Sequence, residues 1–511
     1  MLNFKRLCSV VLIVMLILSS CSIVFASAQT TTGVDVLSSE GFASTDDELK
    51  FATDDEVVTE DEPEIIPEAT DDEVDTVPDA TDDEIGTATG DEIDGDLPSA
   101  VDNSQSPYFP PICGSTVCCD DKVIDSAVFA TVYYQFTYEM NKVRGVESTY
   151  ENSFSPVFVY YIINQNIENG SALEDTYHFL KTMGCATNTT YRYNEALCDD
   201  YKLWPNKEEA WREAIKYRMD SSNDLKEIGD EDTQITSADD EDLDEIKRNL
   251  VNGKLITFKT SPYSWNWMNR IQTHEDAPEN YKFEDEVIAY ETLDWDYLEL
   301  FTWTLVGYND DIWCDINCND AVDPGEMGAF KAVNTWGNKF NHRYNDGFCW
   351  IAYDALNATS SVEGARNDPD RTKSISSMKT INVKTPDESK GIYVAFDLSG
   401  ITLSTTTVTF TAEKDGVKYE GSFLPGVKYR LDNDDKIRYY NVINGAVIYS
   451  LKDLVPGLNG ENFHEYNFEM TFSNCQSERR RFYVYKVELV NEYDGTRCDQ
   501  LGYREELGSK L

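Results

Sequence analysis

The spacing of apolar positions divides this chain into three zones. From Val128 to Met140 the chain is mostly apolar and aromatic, the pattern of a helix buried on most sides. Helical spacing continues at about Pro156 to Asn164, Ala172 to Met183 and Lys207 to Met219. It recurs from about Asp239 to Val251, where Leu243, Ile246 and Leu250 share a face and Gly253 is a stop signal. From Leu255 the period shortens to that of strands: Leu255 to Lys259, Val287 to Tyr290, Thr302 to Tyr308, Gly328 to Asn334 and Phe348 to Ala352. Helices first and antiparallel strands afterwards predict an α+β fold. Residues 359–379 are polar and read as a linker. Beyond them, alternation at Gly391 to Leu398, Thr405 to Ala412, Phe468 to Phe472 and Arg481 to Val490 predicts a β-sandwich over 380–511, with a hairpin turn at Lys414-Asp415-Gly416.

The first 96 residues follow none of these periods. Lys5 and Arg6 precede an apolar run from about Val10 to Leu18, and Ala26-Ser27-Ala28 offers a cleavage site, so residues 1–28 read as an export signal. Leu18-Ser19-Ser20-Cys21 gives a second reading, a lipoprotein box that would anchor the chain through Cys21. Residues 29–96 repeat Thr-Asp-Asp-Glu at Thr45, Thr53, Thr70 and Thr81. This segment has too little apolar surface to offset the entropy of ordering, and predicts a disordered acidic spacer. It carries much of the formal net charge of -51. That charge makes nucleic acid and anionic membrane poor partners, and no other stretch is long enough to cross a bilayer.

Export changes how cysteine is read. Cys113, Cys118, Cys119, Cys185, Cys198, Cys314, Cys318, Cys349, Cys475 and Cys498 are even in number, and an oxidising compartment permits disulfides. Pairing of Cys475 with Cys498 is the simplest bridge within the β-sandwich.

Three segments in the strand zone resemble the papain-like cysteine peptidases. They are Thr304-Leu305-Val306-Gly307-Tyr308-Asn309-Asp310, Ala329-Phe330-Lys331-Ala332-Val333-Asn334-Thr335-Trp336-Gly337 and Gly347-Phe348-Cys349-Trp350-Ile351. Leu97-Pro98-Ser99-Ala100-Val101-Asp102 resembles the mature start of such enzymes. The resemblance covers 97–358. It implies a helical left lobe and an antiparallel, barrel-like right lobe around a cleft.

That chemistry needs a Cys thiolate at a helix N-terminus, a His to hold and donate a proton, an Asn to orient the His and a Gln to donate to the oxyanion. Carried over by position, the resemblance puts the nucleophile at Ser126, the His at Phe301, the Asn at Asn334 with Trp336 beside it, and the Gln at Asp120. Ser without a base is a poor nucleophile, and Phe cannot be a base. The chain therefore reads as an exported pseudopeptidase that binds a peptide, protein or cell-surface ligand. Two alternatives stay open: an active thiol peptidase using Cys118 or Cys119 with His342, and a surface scaffold whose β-sandwich does the binding. Disulfides that staple a remodelled cleft are expected from Cys113, Cys118, Cys119, Cys314, Cys318 and Cys349.

A second motif lies in the strand zone. Asp315, Asn317 and Asn319 alternate, Ala321 offers a carbonyl, Asp323 stands ninth and Glu326 twelfth, the spacing of a Ca²⁺ loop. Asp320 stands where such loops prefer Gly.

Overall fold

The structure, a computed structural model, describes residues 96–112, 126–163, 173–192, 204–262, 265–268, 271–277, 282–283, 286–292, 301–337, 346–366, 374–402, 407–423, 442–473 and 483–498. The export signal, the acidic repeats, Asp120, Cys113, Cys118, Cys119, Cys198, His342 and Cys475 lie outside the described residues.

The helical zone opens with one continuous run, residues 126–144 (α1), in which Phe129–Phe136 has π-helical geometry between the α-helical Ser126–Val128 and Thr137–Arg144. Every residue from Ser126 to Asn141 is buried, polar Gln135, Glu139 and Asn141 included, in line with the mostly apolar pattern. The run stops at Gly145, whose φ of 64° suits a left-handed cap, with Lys142 and Arg144 in the last turn against the helix dipole. Pro156–Ile163 (α2), Leu173–Thr182 (α3) and Glu208–Ala214 (α4) follow, and Asp244–Val251 (α5) comes later with Ile246 and Leu250 buried.

Among the described residues nine strands form the main sheet. They are Ala100–Asp102 (β1), Met219–Asp224 (β2), Ile256–Thr260 (β3), Trp265–Met268 (β4), Ile288–Thr292 (β5), Phe301–Trp313 (β6), Met327–Val333 (β7), Phe348–Ala352 (β8) and Ile375–Val383 (β9). Their order is β2-β9-β3-β6-β7-β8-β5-β4, with β1 paired to β6. The pairings are antiparallel except β5 with β8. One hydrophobic core lies on the α1 side and includes Leu255, Val306 and Val333; a second lies on the α5 side and includes Ile256, Leu305 and Ala332. The strand period of two sends alternate residues of β3, β6 and β7 to opposite cores. The α+β expectation is met.

The expected linker at 359–379, and with it the domain limit at 358, is corrected here. Residues from Ile375 onward form β9, paired with β3 on one side and β2 on the other. Ile375, Met378 and Ile381 are buried by this pairing. The Ser and Lys residues between them hid the strand, because Lys379 keeps its charge by pairing with Glu174 and Asp224 while its stem is covered. The helix expected over Lys207 to Met219 stops at Ala214, and Met219 opens β2.

The last zone is β. Ile392–Thr402 (β10), Val442–Ser450 (β13), Tyr483–Asn491 (β15) and Thr496–Cys498 (β16) form one sheet; Thr407–Lys414 (β11), Val417–Ser422 (β12) and Asn467–Ser473 (β14) form another. Asp415 and Gly416, at φ 51° and 78°, make the two-residue hairpin between β11 and β12. The two sheets meet through Phe396 and Phe410, with ring centroids 5.8 Å apart, and Phe410 stacks on Tyr449 at 4.0 Å. A one-turn helix, Leu451–Leu454 (α6), closes this end. These sheets pack on the helical side of the main sheet: Trp211 of α4 faces Phe423, and the Trp204 indole donates to the Ala446 carbonyl at 3.2 Å.

Candidate functional site

The N-terminus of α1 abuts the start of β6. Ser126 is 8% exposed, and its hydroxyl oxygen accepts the Thr302 amide at 2.9 Å. The helix is tied to the strand again where Thr304 Oγ1 donates to the Ala130 carbonyl at 3.4 Å. Deeper in, Gln135 donates to the carbonyls of Leu255 and Lys379, both at 2.9 Å, and accepts from the Tyr177 hydroxyl at 3.2 Å. A buried amide with its donors and its acceptor engaged fixes α1 against β3 and β9.

Phe301 is the first residue of β6 and neighbours Thr302, so the structure brings Ser126 and Phe301 to one place. The Phe301 ring meets Trp336 edge-on at 5.1 Å. Trp336 in turn meets Trp303 at 5.7 Å, and Trp303 packs on Trp265 at 5.9 Å and Trp267 at 6.3 Å. An imidazole at Phe301 would have provided a base; the phenyl ring instead joins an aromatic cluster. Trp265, Trp267 and Trp303 were not among the residues expected at the cleft. Their signal was present: three of the chain's 9 Trp fall at 265, 267 and 303.

Asn334 is fully buried, and its side chain is committed to the main chain. Its Nδ2 donates to the Gly347 carbonyl at 2.7 Å, and its Oδ1 accepts the Trp336 amide at 2.6 Å. Asn334 therefore locks the turn after β7 against the start of β8. Among the described residues, no histidine or carboxylate bonds to Ser126.

β1 runs along the far part of β6. Gly307 faces this strand so closely that a Cβ there would stand 2.1 Å from the Val101 carbonyl oxygen. This glycine lets the N-terminal strand lie on the sheet.

The thiols form no staple among the described residues. Cys185, Cys314, Cys318 and Cys349 are in no disulfide, which corrects the expected stapling of the cleft by Cys314, Cys318 and Cys349. Burial pushes the thiols of Cys185, Cys314 and Cys349 up, and at Cys314 the Glu326 and Asp315 carboxylates add to it. Such thiols stay protonated and unreactive.

The 315–326 loop has the shape that its spacing suggests. Cys318 and Asp320 take left-handed φ of 60° and 58°. Asp315 accepts the amides of Asn319 and Asp320 at 3.0 and 3.1 Å, and Asn319 Oδ1 accepts the Ala321 amide at 2.8 Å. The closing half is occupied by the protein itself. Asp323 Oδ2 accepts from the Asn317 and Asn319 side chains at 2.7 and 2.6 Å. Glu326, fully buried, accepts the Ile316 amide at 2.7 Å and the Asn317 amide at 3.4 Å through Oε1. Its Oε2 accepts the Trp313 indole at 2.9 Å and the Asp323 amide at 3.0 Å. Both oxygens of Glu326 and Oδ2 of Asp323 are thereby engaged by N–H donors in and next to the loop. Among the described residues no group of His, Cys, Asp and Glu is placed to hold a metal ion.

No family model matches the chain, and no curated protein matches it. Among solved structures it is similar to xylellain, a cysteine protease from Xylella fastidiosa, at 14% identity over 56% of this chain and 87% of that chain, with a TM-score of 0.33. It is also similar to the Carica candamarcensis cysteine protease CMS1MS2, at 11% identity over 56% of this chain and 99% of that chain, with a TM-score of 0.32. Among the described residues no helix is long and apolar enough to cross a membrane.

Proposed function

We propose that this chain is a pseudopeptidase: a papain-like scaffold without the thiol chemistry, whose cleft binds an extended peptide or a protein segment. One observation carries it. Where the chemistry needs a Cys–His pair, the Ser126 hydroxyl is held by a backbone amide and Phe301 is packed on Trp336. Losing one nucleophile or base already costs on the order of 10⁶ in turnover in a triad enzyme.

In this proposal the helices and the main sheet are the left and right lobes, and the two C-terminal sheets are a β-sandwich appended to the left lobe. The chain is exported, with residues 1–28 as its leader or Cys21 as a lipid anchor, and meets its ligand at the cell surface. The 315–326 loop is a metal-free closure beside β7. The half-exposed aromatics Phe301, Trp267 and Trp336 supply apolar contact for a ligand backbone.

Selection of a random peptide library on the full chain tests this. Extended peptides should be enriched and recovered intact, and Trp336→Ala should weaken their binding about tenfold, the loss of roughly 1.4 kcal/mol. Recovery of cleaved peptides, or binding indifferent to Trp336→Ala, would contradict the proposal.

A further inference from the structure

A small cleft of about 130 Å³ lies where α4 meets the C-terminal sheets. Arg212, Lys216, Arg218, Lys384 and Lys452 line it. Such a concentration of cations is unexpected in a chain of formal net charge -51. Four carboxylates answer them in part: Glu492 pairs with Arg212, Glu388 with Lys216, Asp453 with Arg218 and Asp387 with Lys452. Lys384 has no ion pair among the described residues. Arg218 is 8% exposed, and its Nε, though buried, has no hydrogen-bond partner. Leaving a guanidinium N–H unsatisfied in a covered site is costly, and it marks a position for one more acceptor.

We propose that this cleft is the binding site for the carboxylates of the chain's own Thr-Asp-Asp-Glu repeats. The cleft has one more cation than its paired carboxylates offset, and a donor awaiting an oxygen. The repeats carry carboxylates at close intervals, flanked by Thr hydroxyls that suit the same donors. The described chain begins beside β6, where the Tyr308 hydroxyl donates to the Pro98 carbonyl at 2.6 Å. A random coil of the same length as 29–96 would span roughly 45 Å end to end, and self-repulsion would lengthen it. A docked repeat would bridge the helical zone and the C-terminal sheets, adding to the Arg497–Glu208 pair at 2.6 Å that already joins them. The proposal is independent of the pseudopeptidase reading, because it involves neither Ser126 nor Phe301.

Zero-length carbodiimide cross-linking of the full chain, mapped by mass spectrometry, tests it. Lys384 and Lys452 should join to carboxylates within 45–92 about tenfold more often than the control Lys418 of β12, the lower range by which a charged cleft concentrates a counter-ion. Mixed light and heavy isotope chains should show these links to be intramolecular. Arg218→Gln, and separately Lys384→Gln with Lys452→Gln, should reduce the excess to the control level. Lys384 and Lys452 are not core residues, so the second variant keeps the fold if the first does not. Links spread evenly over all lysines, links only between chains, or inorganic phosphate bound at the cleft with no repeat linked there would each overturn the proposal.

Discussion

The Ser126 hydroxyl oxygen receives the Thr302 amide at 2.9 Å, so the residue at the head of α1 is a hydrogen-bond acceptor for the strand that begins at Phe301. A nucleophile at this position would need a proton acceptor; this one has a donor. Ser126→Ala would leave a buried amide unpaired, at a cost of about 1–3 kcal/mol. Chemical denaturation should show that loss, and ligand binding to the remaining fold should be retained.

Gly307 and Val101 define how the N-terminal strand is seated. Gly307→Ala forces a Cβ to within 2.1 Å of the Val101 carbonyl oxygen, so β1 must move off β6. A cost of about 1–3 kcal/mol is expected for such overpacking. Limited proteolysis should cut the variant near Leu97 to Gln105 well before the parent chain.

Buried carboxyls set the pH dependence. Burial raises Glu139, Glu286, Asp310 and Asp354 above the usual carboxylate range, although Lys254, the Trp350 indole, Lys247 and Ser360 respectively oppose it. In the window between the unfolded values, about 4, and the raised folded values, the folded state binds more protons. Their contribution is complete below the unfolded values and is lost as pH rises through the folded ones. Self-repulsion of the net charge acts in the same direction. Asp387 and Glu488 are lowered, and their opposite effect falls below the window. The melting temperature should therefore rise as pH falls from neutrality toward the unfolded carboxylate values, about 4.

Glu326 holds four N–H donors, so the 315–326 loop should stand without metal. Adding Ca²⁺ or a chelator should leave the melting temperature unchanged. Glu326→Gln, which turns one acceptor oxygen into a donor facing N–H groups, should cost about 1–3 kcal/mol. A rise in melting temperature with Ca²⁺ would contradict the assignment of those carboxylates to the loop itself.

Much of this architecture is written in local pattern. The mostly apolar run of α1 and the Val306-Gly307-Tyr308 core of β6 announce themselves because burial on every side favours apolar side chains. The Lys414-Asp415-Gly416 turn is legible because two consecutive left-handed residues need such side chains. β9 was not legible, because Ser376, Ser377 and Lys379 mask a strand whose burial depends on partners far away in sequence. Gln135 was equally silent: a single amide inside an aromatic helix acquires meaning only when Leu255 and Lys379 arrive beside it. Ser126, Phe301, Asn334 and Trp336 could be placed from motif order. The bond to Thr302 and the Trp265, Trp267 and Trp303 cluster required the sheet.

The most direct measurement exposes the purified full chain to an epoxide thiol-protease probe and a fluorogenic peptide library, in thiol-containing buffer. No cysteine should be labelled and no thiol-dependent cleavage should appear, because Ser126 faces an amide and Phe301 faces Trp336. Labelling of Cys118 or Cys119 accompanied by peptide cleavage would contradict it and restore an active peptidase.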